Sequence, residues 1–166
     1  MIFKTTMMSP VGELLLGANE EGITFVEFAS EKGTVQLEKL RKKLKDEMIE
    51  GENDHLTSLK LQLDEYFKGK RTSFDLNLVL TGTPFQKQVW KALMDIPFGK
   101  TRSYKEQATA IGKPSAVRAV ANANGDNLIS IVIPCHRVIG SNGSLTGYGG
   151  GLDKKKWLLD LENRTV

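Results

Sequence analysis

Three short runs rich in apolar and β-branched residues set the pattern of the first thirty positions: Ile2 to Thr6, Glu13 to Ala18 and Ile23 to Phe28. Residues two apart share one face of a strand, so these runs predict strands. The turn-forming stretches Ser9-Pro10-Val11-Gly12 and Asn19-Glu20-Glu21-Gly22 between them predict a small antiparallel sheet. From Glu31 the period lengthens. A charged stretch to about Glu47 reads as a helix, and Leu56, Leu59, Leu63, Tyr66 and Phe67 form one stripe of a second. Phe74, Leu76, Leu78 and Leu80 then alternate with Asp75, Asn77 and Val79, predicting another strand.

Beyond Gly82 the pattern is helical and sharply punctuated. Thr83-Pro84-Phe85-Gln86 combines a capping box with proline at the first helical position. The helix it opens carries Phe85, Val89, Trp90, Leu93 and Met94 on its apolar face to about Asp95, and Ile96-Pro97-Phe98-Gly99 ends it. Ser103-Tyr104-Lys105-Glu106 is a second capping box, opening a short helix that ends at Gly112, and Pro114 starts a third running to Gly125. The result is helix, tight turn, helix. At about 100° per residue, Val117, Val120, Ala121 and Asn124 point inward on the third helix, leaving Ser115, Arg118, Ala119 and Asn122 outside. So small an outer face reads base edges poorly but lets a helix backbone approach DNA closely, as in minor-groove docking. Arg118 is long enough to enter a duplex where a base has been extruded; a solvated surface arginine is the competing reading.

Ile129 to Ile133 reads as a buried strand that Pro134 stops, delivering Cys135 next to His136 and Arg137. Thiolate is the reactive form of cysteine, and neighbouring positive charge or a base raises its population. His136 and Arg137 are candidates for both roles, with His136 able to act through one water, against the alternative that Cys135 is a small core residue. A nucleophile's base is commonly oriented by a third group. Glu162 is the candidate, near the end of a helix that starts at about Asp153 and packs Trp157, Leu158 and Leu161. Lys154, Lys155 and Lys156 crowd that helix's start and Glu162 its end, the reverse of what the macrodipole favours. Phosphate contact and histidine orientation would explain those charges, as would plain solvation. Between Cys135 and this helix lies a glycine-rich loop with Gly140, Gly143, Gly147, Gly149, Gly150, Gly151 and Tyr148, either a ligand-facing loop or a linker. It lacks a nucleotide-hydrolysing phosphate motif.

Composition narrows the classes. The 166 residues suffice for one domain or two small ones, divided here as 1–82 and 83–166. The net charge of +3 conceals an asymmetry: the first part has 11 basic against 14 acidic residues, the second 12 against 6. The second part is the candidate for contact with a polyanion. A single cysteine excludes an intramolecular disulfide, and no Cys/His cluster has zinc-ligand spacing, so no metal and a reducing, cytoplasmic setting are expected. No apolar stretch approaches a membrane span, and Met1-Ile2-Phe3-Lys4 does not open a signal peptide.

Ile133-Pro134-Cys135-His136-Arg137-Val138, with Ser103-Tyr104, Arg118-Ala119-Val120, Asn127, Gly147-Tyr148-Gly149-Gly150 and Leu158-Leu159-x-x-Glu162 in matching order, resembles the methylated-DNA–protein-cysteine methyltransferases, the O6-alkylguanine repair proteins. The resemblance is close over about residues 83 to 162 and weaker before. It implies an α/β (α+β) chain with an N-terminal ribonuclease-H-like domain and a C-terminal winged-helix-like domain containing the helix-turn-helix. It further implies that Cys135 accepts the alkyl group, that His136 with a water is its base, and that Glu162 orients His136. Asn127 braces the turn and Tyr104 donates to the flipped guanine. Arg118 fills the vacated stack, with Ser115, Ala119 and Asn122 beside it on the DNA. Pro134, Val138, Tyr148 and Gly149 line the base pocket; some members carry serine at the position of Gly149. The implied reaction is irreversible, stoichiometric repair of O6-methylguanine in duplex DNA, and possible activity on O4-methylthymine stays open. It uses no cofactor, and a monomer is expected. An alkyltransferase-like lesion-recognition protein is the alternative, although such proteins have another residue in place of cysteine. A cysteine hydrolase would leave the basic half without purpose.

Overall fold

β1 (Ile2–Ser9) and β2 (Gly12–Ala18) form a hairpin in the computed structural model, which describes residues 1–165. Its turn needs the positive φ of Gly12, 98°. β3 (Ile23–Phe28) pairs antiparallel with β2, Leu14 opposite Phe28 and Leu16 opposite Val26. Gly17 sits under the Phe25 ring, where any Cβ would overlap it. Ser30 caps α1 (Glu31–Leu44), accepting from Gly33 N at 3.1 Å. The helix stops short of the predicted Glu47 because Lys45 adopts φ 53° and turns the chain into β4 (Met48–Glu50), a strand that the sequence pattern does not reveal. β4 lies parallel to β1, giving the order β3-β2-β1-β4. Asn53 caps α2 (Asp54–Phe67), whose Leu56, Leu59, Leu63 and Tyr66 are fully buried.

α1 covers the sheet face that carries Phe25, closing a cluster of Ile2, Phe25 and Leu40. α2 packs on the opposite face, where Lys60 Nζ donates to Thr5 Oγ1 at 3.2 Å. The strand predicted over Phe74 to Leu80 is absent: only Leu78 bridges, in parallel, to Ile23. The backbone of Asp75 bonds instead to the Gln62 amide, donating at 2.9 Å and accepting at 3.0 Å, so a side chain takes the place of a neighbouring strand.

The chain divides into two units, Met1–Thr81 with Leu128–Val132, and Gly82–Asn127 with everything from Ile133 onward. Leu128–Val132 therefore joins the first unit from the second half of the sequence, accepting from Val26 N at Leu128 O and donating from Ser130 N to Val26 O, both 2.9 Å. It is not the regular strand expected over Ile129 to Ile133. Ile131 has φ 72°, a left-handed backbone that costs a β-branched residue about 1–3 kcal/mol and ends the pairing.

The second unit opens with α3 (Pro84–Met94), β5 (Arg102–Ser103) and α4 (Tyr104–Ala110), and both predicted capping boxes form. α5 (Val117–Gly125) begins three residues after Pro114. Residues 114–116 form a turn in which Ala116 N donates to Lys113 O, and no side chain caps the helix. A 3-10 turn (Cys135–Arg137) leads into β6 (Val138–Ile139), parallel to β5, and α6 (Leu152–Thr165) closes the unit. Gln107 and Asn124 exchange amide hydrogen bonds of 3.0 and 2.8 Å between α4 and α5, and Trp90 Nε1 donates to Ala123 O at 2.8 Å, joining α3 to α5. Among the described residues no helix is long and apolar enough to cross a membrane.

Candidate active site

The residues of the site all belong to the second unit. Pro134 sits ahead of the 3-10 turn with φ −82° and ψ 64°, and Cys135 N donates back to Ile133 O at 2.8 Å. This tight return leaves the Cys135 thiol half-buried while His136 and Arg137 are buried. Asn127 braces the turn: its Nδ2 donates to Ile133 O at 2.9 Å and approaches Cys135 Sγ at 3.4 Å. An amide N–H aimed at sulfur favours the thiolate.

His136 Nε2 meets Glu162 Oε2 at 2.6 Å. Arg137 grips the same carboxylate, Nε to Oε1 at 2.8 Å and Nη2 to Oε2 at 3.1 Å, while Gly99 N donates to Oε1 at 3.1 Å. Arg137 thus faces away from the sulfur that the sequence pairs it with. Its Nη1 donates to Ile96 O at 2.7 Å, and its guanidinium lies 5.7 Å from the Phe98 ring centre. Burial pushes the Glu162 carboxyl up, but hydrogen bonds and charge from His136 and Arg137 outweigh it and hold the group at about 2. Glu162 is therefore an anion that accepts a hydrogen bond from Nε2–H, and the lone pair is left on Nδ1. Nδ1 is buried and has no hydrogen-bond partner among the described residues. Burial holds the imidazole below its ordinary pKa, reinforced by the Arg137 and Lys155 charges and opposed by Glu162. A neutral imidazole with one open basic nitrogen is the state a general base requires.

Tyr104, at the start of α4, is half-buried and donates its hydroxyl to Thr146 O at 2.9 Å, which brings it against the glycine-rich loop. Pro134 and Val138 are buried beside the turn, Tyr148 is half-buried and Gly149 exposed. Ser115, Arg118, Ala119 and Asn122 are all exposed, and Val120, Ala123 and Asn124 are the buried side of α5. Ala121, expected inside, is only half-buried.

Two residues escape the sequence reading. Arg137 belongs to the carboxylate, and Lys155, grouped with Lys154 and Lys156 as a phosphate contact, is fully buried. Its ammonium donates to Val138 O at 2.6 Å, Thr146 O at 2.7 Å and Gly147 O at 3.4 Å. The signal was present, since Lys155, Leu158 and Glu162 are spaced three and four apart and share the inner stripe of α6. Lys156 is exposed and pairs with Asp160 at 2.7 Å. Among the described residues, no group of three or more His, Cys, Asp or Glu is placed to hold a metal.

Comparison with known proteins agrees across both units. Residues 84–164 match the 6-O-methylguanine DNA methyltransferase DNA binding domain, and residues 2–80 match the ribonuclease-like domain of the same proteins. A methylated-DNA–protein-cysteine methyltransferase of Methanosarcina barkeri is 49% identical over 158 residues, 95% of either chain. One of Mycobacterium leprae is 43% identical over 166 residues, 100% of this chain and 95% of its own. The crystal structure of the Mycobacterium tuberculosis protein OGT in complex with DNA superimposes with a TM-score of 0.84 at 42% identity, covering 96% of this chain and 92% of that one. With both domain types matched and with relatives this similar along almost their whole length, the chain belongs to the 6-O-methylguanine DNA methyltransferase family.

Proposed function

We propose that this protein repairs O6-alkylguanine in duplex DNA, monomerically and without a cofactor, by moving the alkyl group onto Cys135 Sγ. The observation that carries the reading is the pairing behind the thiol: the buried Glu162 anion fixes the His136 tautomer and leaves its Nδ1 lone pair unengaged, one residue along the 3-10 turn from the half-buried Cys135. His136 Nδ1 takes the thiol proton through a water. The thiolate then attacks the alkyl carbon, forming the S–C bond as the C–O6 bond breaks. The electron pair returns to the guanine ring, which takes a proton from the Tyr104 hydroxyl or solvent, restoring guanine. The Tyr104 hydrogen is engaged with Thr146 O, so the extruded base competes for it.

Asn127 supports the thiolate and holds the turn. Arg118, exposed on the small-residue face with Ser115, Ala119 and Asn122, takes the place of the extruded base, and Pro134, Val138, Tyr148 and Gly149 surround that base. S-alkylcysteine has no thiolate, so each molecule acts once. A reduced thiol is needed throughout, which suits a reducing compartment such as the cytoplasm. Incubation with a duplex containing O6-methylguanine is expected to add one methyl group, located at Cys135 by peptide mass spectrometry. Labelling of a Cys135→Ala variant to the same extent overturns the assignment.

A further inference from the structure

Ile131 carries strain that the repair chemistry above does not account for. Among the described residues Lys45 and Ile131 are the non-glycine positions with positive φ, and only Ile131, at 72°, is β-branched. Val132 N donates to Ser130 O at 2.8 Å across it, closing a three-residue γ-turn of the strained hand, which persists only where its surroundings hold it. Three residues on, Pro134, with φ −82° and ψ 64°, centres a second γ-turn, of the relaxed hand, closed by Cys135 N to Ile133 O at 2.8 Å. Chain length explains why the first must be so tight. Val26 N donates to Leu128 O and Ser130 N to Val26 O, both at 2.9 Å, so residues 128–130 run along β3. Asn127 Nδ2 nonetheless donates to Ile133 O at 2.9 Å. Ile131 and Val132 alone are left to bring the chain back, and a γ-turn is the shortest reversal. Glycine takes that conformation freely and a β-branched residue resists it. What isoleucine adds is a side chain that is 1% exposed, so that opening the turn pulls it out of its packing.

We propose that Ile131 is a positioning residue: its buried side chain pins the strained γ-turn, the turn returns Ile133 to Asn127, and Asn127 is thereby held with its amide on the Cys135 sulfur. Ile133 O accepts from Asn127 Nδ2 at 2.9 Å and from Cys135 N at 2.8 Å, and the same Nδ2 lies 3.4 Å from Cys135 Sγ. One carbonyl therefore fixes both the amide and the turn that bears the thiol. When the γ-turn opens, Ile133 O moves, and the amide that favours the thiolate loses its aim. Ile131 acts through Ile133 and Asn127 and takes no part in the transfer itself. The inference deepens the repair reading by naming what aims the nucleophile's support, and it rests on that reading only for what the sulfur attacks.

The test uses iodoacetamide, which reads the Cys135 thiolate without DNA, on folded protein at pH 7. Ile131→Ala and Ile131→Gly both lose the pinning side chain, but only alanine keeps a Cβ that strains the turn. Ile131→Ala is expected to react about three- to tenfold more slowly than wild type, and Ile131→Gly, free of strain and still anchored at both ends, to return to within about twofold. A packing role alone predicts glycine no faster than alanine, and that order overturns the proposal, as do equal rates in all three proteins. A glycine variant that folds where the alanine variant does not supports it. Should neither fold, Ile131→Val is measured with and without Asn127→Ala. A rate loss of about twofold that vanishes in the Asn127→Ala background supports the route through Asn127, and an equal loss in both backgrounds, or none, overturns it. A wild type that reacts with iodoacetamide but never with O6-benzylguanine or methylated duplex would instead refute the repair reading, leaving the Ile131 result intact.

Discussion

Glu162→Gln separates charge from shape at the centre of the site. The carboxylate accepts from His136, twice from Arg137 and once from Gly99, at 2.6, 2.8, 3.1 and 3.1 Å. Glutamine fills the same volume, but it is neutral and one of its two ends is a donor, so at least one of these four donors then faces another donor. The carboxyl titrates at about 2 in the folded protein against an ordinary 4.5. At about 1.4 kcal/mol per pH unit, that difference contributes about 3 kcal/mol of stability. Because the folded value is depressed, the contribution is complete above pH 4.5 and is lost as the pH falls from there through 2. Removing one partner of a buried ion pair costs about 3–5 kcal/mol, since Arg137 then stays buried without its anion, and the two figures agree. Urea unfolding of Glu162→Gln at pH 7 should therefore show a loss of about 3 kcal/mol, and the gap to wild type should shrink by more than half at pH 3. Under conditions where the variant is folded, single-turnover alkyl transfer should fall by about a hundredfold to ten-thousandfold, the range of general-base catalysis. A variant as stable as wild type at pH 7, or a gap that stays constant to pH 3, refutes the assignment of Glu162 as a buried anion.

Glu27 on β3 is buried, and burial raises its carboxyl to about 8, against opposing influence from Lys32 and the Phe28 backbone. The folded protein then binds a proton that the unfolded chain has lost, so this group makes stability fall by about 1.4 kcal/mol per pH unit between pH 5 and 8; Glu27→Gln should flatten that slope in urea titrations, and an unchanged slope would exclude it. Gln107→Leu strands the buried Asn124 amide and should cost about 1–3 kcal/mol, while the double variant with Asn124→Leu costs less than the sum of the singles; strict additivity in denaturation experiments would contradict the pairing. Arg118→Ala, on an exposed helix face, should shift stability by less than about 0.5 kcal/mol and slow repair of duplex DNA without slowing reaction with free O6-benzylguanine. Equal slowing of both reactions would remove Arg118 from base extrusion.

The elements legible in the sequence are those whose stability is local. Thr83 with Gln86 and Ser103 with Glu106 form reciprocal caps four residues long, and both helices begin where those boxes lie. β4 and the bridge at Leu78 depend on partners far along the chain, Phe3 and Ile23, so neither the presence of the first nor the brevity of the second is written in its own pattern. Leu128–Val132 shows the same limit more sharply. Its apolar run reads as a strand, yet its register is set by Val26, a hundred residues earlier, and Ile131 breaks it with a conformation that local preference opposes.

The site was legible in composition and illegible in direction. Cys135, His136 and Arg137 are neighbours, which suggests that both cations serve the sulfur. A 3-10 turn has three residues per turn, however, so three consecutive side chains leave it about 120° apart. The thiol remains half-exposed, and imidazole and guanidinium both turn inward to Glu162. The neighbour that looked like the activating charge therefore holds the carboxylate, and Lys155, which looked like a surface phosphate contact, is buried against Val138 O and Thr146 O. Sequence adjacency predicted the ingredients because Pro134 and Glu162 are both close to the turn in space. It could not assign Arg137 and Lys155 their roles, because that assignment depends on which face of α6 is buried and on a turn whose period matches neither a strand nor an α-helix.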